Sequence, residues 1–237
     1  MKPVYFFLGA NSEEGFFSLY DQLLGGRLDD LMILKGGPGC GKSTFMRRMG
    51  AAMERAGERV VYINCSGDPD SLDAAIFLDR NAAIVDGTSP HVLEPTYAVA
   101  SERYVDLTRF YDVDAAKARR AEIVALSDEY RAHYRSAYRI LRAMGEVESE
   151  RRVAMHAQMD FSKLRRRTDG ILARELRGEG GGSFTRRVEA SLLDEAVSAL
   201  SNAKKAHDAL ESAYHPCVDF EGGTALAEKE IKRLLKQ

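Results

Sequence analysis

The run Gly36-Gly37-Pro38-Gly39-Cys40-Gly41-Lys42-Ser43-Thr44 brings together residue types that hold a polyphosphate. Small residues let successive backbone N–H groups turn inward as a concave anion nest, and an ammonium group follows where a helix would begin. The spacing satisfies GxxxxGK[ST], in which Lys42 meets the outer phosphates and the Ser43 hydroxyl becomes a ligand of Mg²⁺. The plainer alternative is a glycine-rich turn without a nucleotide. Downstream, Ala82-Ala83-Ile84-Val85-Asp86 is four apolar residues ending in a carboxylate. A buried strand of that form delivers Asp86 beside the loop, where it holds Mg²⁺ directly or through water. A capping role in the turn with Gly87 is the alternative. Asp68, Asp70 and Asp73 follow a further apolar run. Asp68 or Asp70 could complete the Mg²⁺ shell, orient water, or accept a proton from a substrate hydroxyl. Asp73 reads instead as a local cap or pair. His91 and Glu94 lie just after Asp86, where they could sense a terminal phosphate, although a lone His in a turn also suits a structural role.

These residues need a frame. Val4–Leu8, Leu31–Leu34, Val60–Ile63 and Ala82–Val85 are short apolar runs without polar alternation, which suits buried parallel strands. Lys42–Arg55 has helix length and ends at Ala56-Gly57, where Gly57 supplies a left-handed turn. Strand, helix, strand is the βαβ unit of a parallel sheet. Asp106-Leu107 marks a further short strand. From residue 113 the texture changes. Ala115–Glu148 spaces Ile123, Leu126, Tyr130, Tyr134, Ala137, Leu141 and Met144 three and four apart, as one long amphipathic helix does. Val188–Tyr214 repeats the pattern, so the two helices are expected to pair antiparallel. Between them Arg151–Arg187 is Arg-rich and contains Gly178-Glu179-Gly180-Gly181-Gly182-Ser183, the composition of a mobile connection. A last helix spans about residues 225–235. The fold class is therefore α/β, a parallel sheet flanked by helices. Residues 1–112 and 216–237 form the nucleotide-binding core, and 113–215 form a helical hairpin insertion.

Composition excludes several alternatives. With 237 residues, 45% of them apolar, the chain can fill a sizeable core. Its 34 Lys and Arg nearly cancel its 36 Asp and Glu, so no global field recruits nucleic acid. Val4–Ala10 is too short to span a bilayer and no membrane role is expected. Cys40, Cys65 and Cys217 are odd in number and lack CxxC spacing, which disfavours a disulfide framework or zinc site and fits a reducing cytoplasm.

On its glycine-rich loop and the Asp86 segment, the chain resembles the P-loop NTPase superfamily. More narrowly it is similar to a bacterial group of P-loop ATPases that carry Asp68-Pro69-Asp70-Ser71-Leu72-Asp73 and Asp86-Gly87-Thr88-Ser89-Pro90-His91 segments like those here, with a His207-Asp208…Glu211…Tyr214 stretch and Asp219-Phe220 after it. The likeness covers roughly residues 4–112 and 207–220. Members of the group often carry two such cores in tandem, and this chain shows one. The resemblance implies ATP and Mg²⁺ as cofactors but no established substrate. Gly87 stands where many motor ATPases place a water-polarising Glu, so fast hydrolysis does not follow. No NKxD motif reads guanine, which leaves adenine, and no LSGGQ-like signature points to a transporter-type ATPase.

Residues 113–214 carry 19 Lys and Arg against 16 Asp and Glu, with the excess at Arg151-Arg152, Arg165-Arg166-Arg167 and Arg186-Arg187. Arginines on a mobile element can neutralise charge over transferring phosphates. A solvated basic face or a partner-docking surface is the competing reading. The expected activity is Mg²⁺-dependent ATP binding with ATPase chemistry, using Lys42, Asp86, Asp68 and Asp70. The alternatives are a small-molecule kinase with the hairpin as lid, and an ATP-controlled module whose hairpin contacts a protein partner.

Overall fold

The computed structural model describes residues 2–175 and 190–236. In chain order it begins with Val4–Phe6 (β1), the hairpin Gly9–Ser12 (β2) and Gly15–Ser18 (β3), then Asp30–Lys35 (β4) and Lys42–Arg55 (α1). Val60–Asn64 (β5), Leu72–Phe77 (β6), Ala82–Asp86 (β7) and Glu102–Asp106 (β8) complete the strands. Val113–Ala118 (α2), Arg120–Ala157 (α3), Phe161–Glu175 (α4), Ala190–Tyr214 (α5) and Phe220–Leu234 (α6) follow.

Leu31, Met32, Ile33 and Leu34 have no solvent exposure, as a strand covered on both faces requires. β4 accordingly sits inside a six-stranded sheet of order β1-β5-β6-β7-β4-β8. Leu31 and Ile33 face one side beside Ala83 and Val85 of β7, and cluster there with Tyr20, Leu23 and Leu93. Met32 and Leu34 face the other, against α1 and α6 through Met46, Met49, Met53, Ala227 and Leu234. The α1 residues recur at helical spacing, and burying each such side chain contributes roughly 1.5–3 kcal/mol. Gly57, at φ 88°, ends the helix: the Glu58 N–H returns to the Met53 carbonyl at 3.0 Å. Asp30, Arg103, Glu230 and Arg233 form a partly buried ionic network that fixes α6 to the sheet.

Several elements differ from the sequence expectation. The sheet is mixed, because β6 runs antiparallel to both β5 and β7. Its sequence hid it: Leu72-Asp73-Ala74-Ala75 opens with an acid and small residues, and Asn81, at φ 44°, makes the tight return to β7. β1 is an edge strand with Tyr5 and Phe6 exposed, not a buried one. The long helix breaks at Arg119, so Asp112 caps the separate α2 by accepting from the Asp114 and Ala115 amides. The described part of the Arg151–Arg187 stretch is helical apart from a break at residues 158–160: α3 runs on to Ala157 and α4 carries Arg165-Arg166-Arg167. Every residue from Arg151 to Arg174 is exposed. Gly178–Ser183 and Arg186-Arg187 lie outside the described residues. α3 and α5 do run antiparallel: the Arg119 guanidinium donates to the Ala213 carbonyl at 2.6 Å, and the Tyr130 and His207 rings lie 5.3 Å apart.

Glu102 ties the loops at one end of β8 together. Its buried carboxylate accepts from the amides of Gly25 at 2.7 Å, Gly26 at 3.1 Å and Tyr97 at 3.0 Å, and from that of Thr96. Burial alone would raise its pKa; the four amides outweigh burial and hold the carboxyl below the usual range. Glu102→Ala leaves those donors unpaired and is predicted to cost roughly 3 kcal/mol. A depressed folded-state pKa gives stability that is full above the ordinary Glu value and fades as pH falls through the folded one. In urea unfolding, the gap between wild type and variant is therefore expected to be widest near neutrality and to narrow below about pH 4. A gap that widens in acid contradicts this.

Candidate functional site

The parallel pairing of β4 with β7 sets Leu34 opposite Asp86, so Asp86 stands beside the turn that leaves β4. That turn, Gly36–Gly41, leads into α1 at Lys42. Gly39 at φ 71° and Gly41 at φ 86° adopt the left-handed conformation that L side chains resist. Lys42 Nζ donates to the carbonyls of Gly36 and Gly37, both at 3.0 Å, and lies 3.5 Å from Asp86 Oδ2. The other Asp86 oxygen accepts from the Thr88 amide at 2.9 Å and hydroxyl at 2.6 Å. Asp86 thus caps its turn with one oxygen, the alternative weighed from the sequence, and faces Lys42 with the other. Ser43 Oγ accepts from the Leu72 amide at 3.0 Å, which ties α1 to the start of β6.

Above the loop lies a cavity of about 1250 Å³, bounded by the core below and the α3/α5 hairpin above. All nine residues from Gly36 to Thr44 border it, as do Asp68, Asp73, Asp86 and His91. The hairpin reaches the loop directly. Glu211 Oε1 accepts from the Gly39 amide at 3.2 Å, and His207 Nε2 lies 3.5 Å from the same carboxylate oxygen. A Cβ added at Gly39 would stand 2.8 Å from the Glu211 carbonyl oxygen, so only glycine permits this approach. Tyr111 braces the far side, its hydroxyl donating to the Pro38 carbonyl at 3.0 Å and its ring 5.4 Å from that of Tyr214. Along α3, Tyr130, Tyr134 and Tyr138 form a ladder with ring spacings of 5.0 and 5.8 Å. Tyr138 donates to Asn11 Oδ1 at 2.8 Å, which holds α3 over the β2–β3 hairpin.

The remaining candidates divide. Asp68 borders the cavity but pairs with Lys204 of α5 at 2.9 Å, a core-to-hairpin bridge and not a free base. Asp70 is exposed and does not border the cavity; its carbonyl takes the Arg47 guanidinium. Asp73, expected to cap or pair locally, is buried on β6 and accepts from the Tyr20 hydroxyl at 2.9 Å. Burial raises its pKa, against the pull of His91 and the Tyr20 hydrogen bond. His91 is buried too, 4.0 Å from Asp73, and candidate metal-binding atoms of Asp73, Asp86 and His91 lie within 4.8 Å of one another. Glu94 points elsewhere, pairing with Lys35 at 3.2 Å and taking the Tyr104 hydroxyl. Arg151, Arg152 and Arg165–Arg167 do not border the cavity; among the described residues the arginines that do are Arg131 and Arg135, with Lys42 and Lys204.

Comparison with protein-family models, curated proteins and solved structures returned no match. Among the described residues, no helix is long and apolar enough to cross a membrane.

Sequence reasoning missed the cavity's roof. Tyr130, Tyr134 and Tyr138 at four-residue spacing read as packing positions, and they do pack on one another while one edge borders the cavity. The available signal was polar: His207, Asp208, Glu211 and Tyr214 share one face of α5, and all four border the cavity.

The two left-handed glycines separate strain from crowding. Gly41→Ala meets only the Phe220 ring at 3.7 Å and is predicted to cost about 1–2 kcal/mol of backbone strain. Gly39→Ala adds a collision with the Glu211 backbone and is predicted to cost more. Amide exchange across residues 207–214 is expected to accelerate in Gly39→Ala and to stay near wild type in Gly41→Ala. Equal exchange in the two variants contradicts the close approach of α5.

Proposed function

We propose that the chain is a Mg²⁺-dependent ATP-binding protein with a P-loop core, whose hydrolysis is slow until a substrate or partner completes the site. One observation carries the reading: a nine-residue segment with the GxxxxGK[ST] spacing, its partly buried Lys42 ammonium group and a strand-end carboxylate all border one cavity. Loop amides would bind phosphate oxygens, and Lys42 would leave the Gly36 and Gly37 carbonyls to meet them. Ser43 and Asp86 supply the hydroxyl and carboxylate oxygens that suit Mg²⁺, and both border the cavity. Bound Mg²⁺ neutralises phosphate charge. Slow hydrolysis fits the residues present: Gly87 follows Asp86, and the Asp68 carboxylate is engaged by Lys204. Glu211 occupies a loop amide that phosphate would need, so nucleotide and this carboxylate compete. The three free thiols suit a reducing compartment such as the cytoplasm.

Equilibrium dialysis with ATP and Mg²⁺ tests the reading. Wild type is expected to bind one equivalent, and Lys42→Ala to weaken binding by about ten- to a hundredfold, the worth of a charge-assisted contact. Glu211→Gln removes the competing charge and is expected to tighten binding several-fold. Unchanged affinity in Lys42→Ala would defeat the assignment.

A second reading is a small-molecule kinase with the hairpin as lid. Its support is the size of the cavity, which exceeds the usual 300–1,000 Å³ range of ligand sites, and the hairpin residues Tyr130, Tyr134, Arg131, Arg135 and Lys204 along its border. Such a surface suits an anionic acceptor with a flat apolar part. Incubation with γ-labelled ATP and a panel of hydroxylated metabolites decides between the two: a labelled organic product supports the kinase, and inorganic phosphate alone supports the ATPase.

A further inference from the structure

We propose that Asp73, Asp86 and His91 form a binding site for a divalent transition-metal ion, with a ligand set distinct from the Ser43–Asp86 pair assigned to Mg²⁺. The register of β6 and β7 makes the case for a cation. Ala74 pairs with Val85, so one residue further on Asp73 stands across from Asp86. Two carboxylates directly opposed at a sheet end repel each other, and both are buried here. Asp73 meets the Tyr20 hydroxyl, the Cys65 thiol and, at 4.0 Å, the His91 ring, and Lys42 at 3.5 Å faces Asp86. A dication between the carboxylates balances both charges and leaves Lys42 free.

The histidine is the independent observation. His91 is 6% exposed, and neither of its ring nitrogens has a hydrogen-bond partner among the described residues. Buried polar nitrogens are normally satisfied, and an imidazole facing two carboxylates is satisfied by coordination. The ring is held for that purpose: Tyr20 stacks on it at 4.5 Å, and the same tyrosine's hydroxyl donates to Asp73 at 2.9 Å. One residue thus orients two ligands, as the partners of metal ligands do. Lys35 fixes the loop that carries His91 by donating to the Gly87 and Leu93 carbonyls, both at 2.9 Å.

Size and chemistry select the ion. Ligand atoms at about 2.0–2.2 Å from a metal lie at most about 4.4 Å apart, close to the 4.8 Å spread here, so small side-chain shifts close the shell. Mg²⁺ prefers an all-oxygen octahedron, whereas one imidazole with two carboxylates suits Mn²⁺, Fe²⁺, Co²⁺ or Zn²⁺. All three residues border the cavity, from which water or a substrate oxygen supplies the remaining ligands.

The test needs no nucleotide and so stands or falls apart from ATP binding. The full chain, stripped with a chelator, is titrated with Co²⁺ and followed by its visible absorption, then challenged with Zn²⁺ and with excess Mg²⁺. One equivalent of Co²⁺ is expected, displaced by Zn²⁺ and not by Mg²⁺. Asp73→Asn and His91→Ala are expected to weaken it more than tenfold, and Tyr20→Phe by about tenfold. Lys42→Ala, which abolishes the proposed phosphate contact, is expected to keep or tighten it. Because a buried substitution can unfold the chain, the wild type is also read by imidazole nitrogen NMR with Zn²⁺, where His91 alone among the five histidines is expected to shift. Absent or substoichiometric Co²⁺ binding, affinity unchanged in a folded His91→Ala, or a shift at another histidine overturns the proposal.

Discussion

Everything at the candidate site depends on one strand pairing. Parallel registration of β4 with β7 sets Leu34 across from Asp86, which puts the end of β7 beside the turn that β4 feeds into α1. The pairing is enforced by burial: Ala82, Ala83, Ile84 and Val85 have no exposure, and a slip of one residue would exchange the two faces of the strand. Lys42 and Asp86 then meet at 3.5 Å with little solvent around either. Taking both charges from water is costly, so such a pair is weak support for stability by itself. It is well suited to exchange, because either member gains when a better-placed anion or cation arrives.

The hairpin supplies the second layer of the account. It rests on the core through contacts of modest individual strength: Lys204 with Asp68, Tyr138 with Asn11, and Glu211 with the Gly39 amide. The partly exposed Lys204–Asp68 ion pair is worth about 0–1 kcal/mol, and a single hydrogen bond about 0.5–1.5 kcal/mol. Helices held by a few such contacts open at a fraction of the cost of global unfolding. Under the proposed reading, such a roof would admit a ligand by local motion and exclude water on closing. Glu211 links that motion to the loop, since its carboxylate holds an amide that faces the cavity.

Much of this arrangement was legible in the sequence. The loop spacing, the apolar run ending in Asp86, and the helix from Lys42 to Arg55 stand where their patterns put them, because each is a local signal with a local physical cause. What the pattern hid was tertiary. β6 escaped notice because Asp73 interrupts its apolar character, yet that acid is buried by Tyr20 and His91, which come from distant segments. Asp68 and Asp70 are two residues apart and alike in type; only the position of Lys204 on α5 makes one a bridge and leaves the other exposed. For the basic clusters the sequence left two readings open, and Arg151, Arg152 and Arg165–Arg167 take that of an exposed basic face, because composition marks charge but not direction. Besides Lys42, the described cations that border the cavity, Arg131, Arg135 and Lys204, are scattered singly along the helices.

The central claim is that the amides of Gly36–Lys42 are an anion nest. Amide NMR of the deuterated chain during titration with Mg²⁺ and ATP tests it most directly. The Gly39, Gly41 and Lys42 amides are expected to move downfield together and saturate at one equivalent, as phosphate oxygens replace Glu211. Amides that stay in place while nucleotide is added, or that shift only at sites remote from the loop, would contradict it.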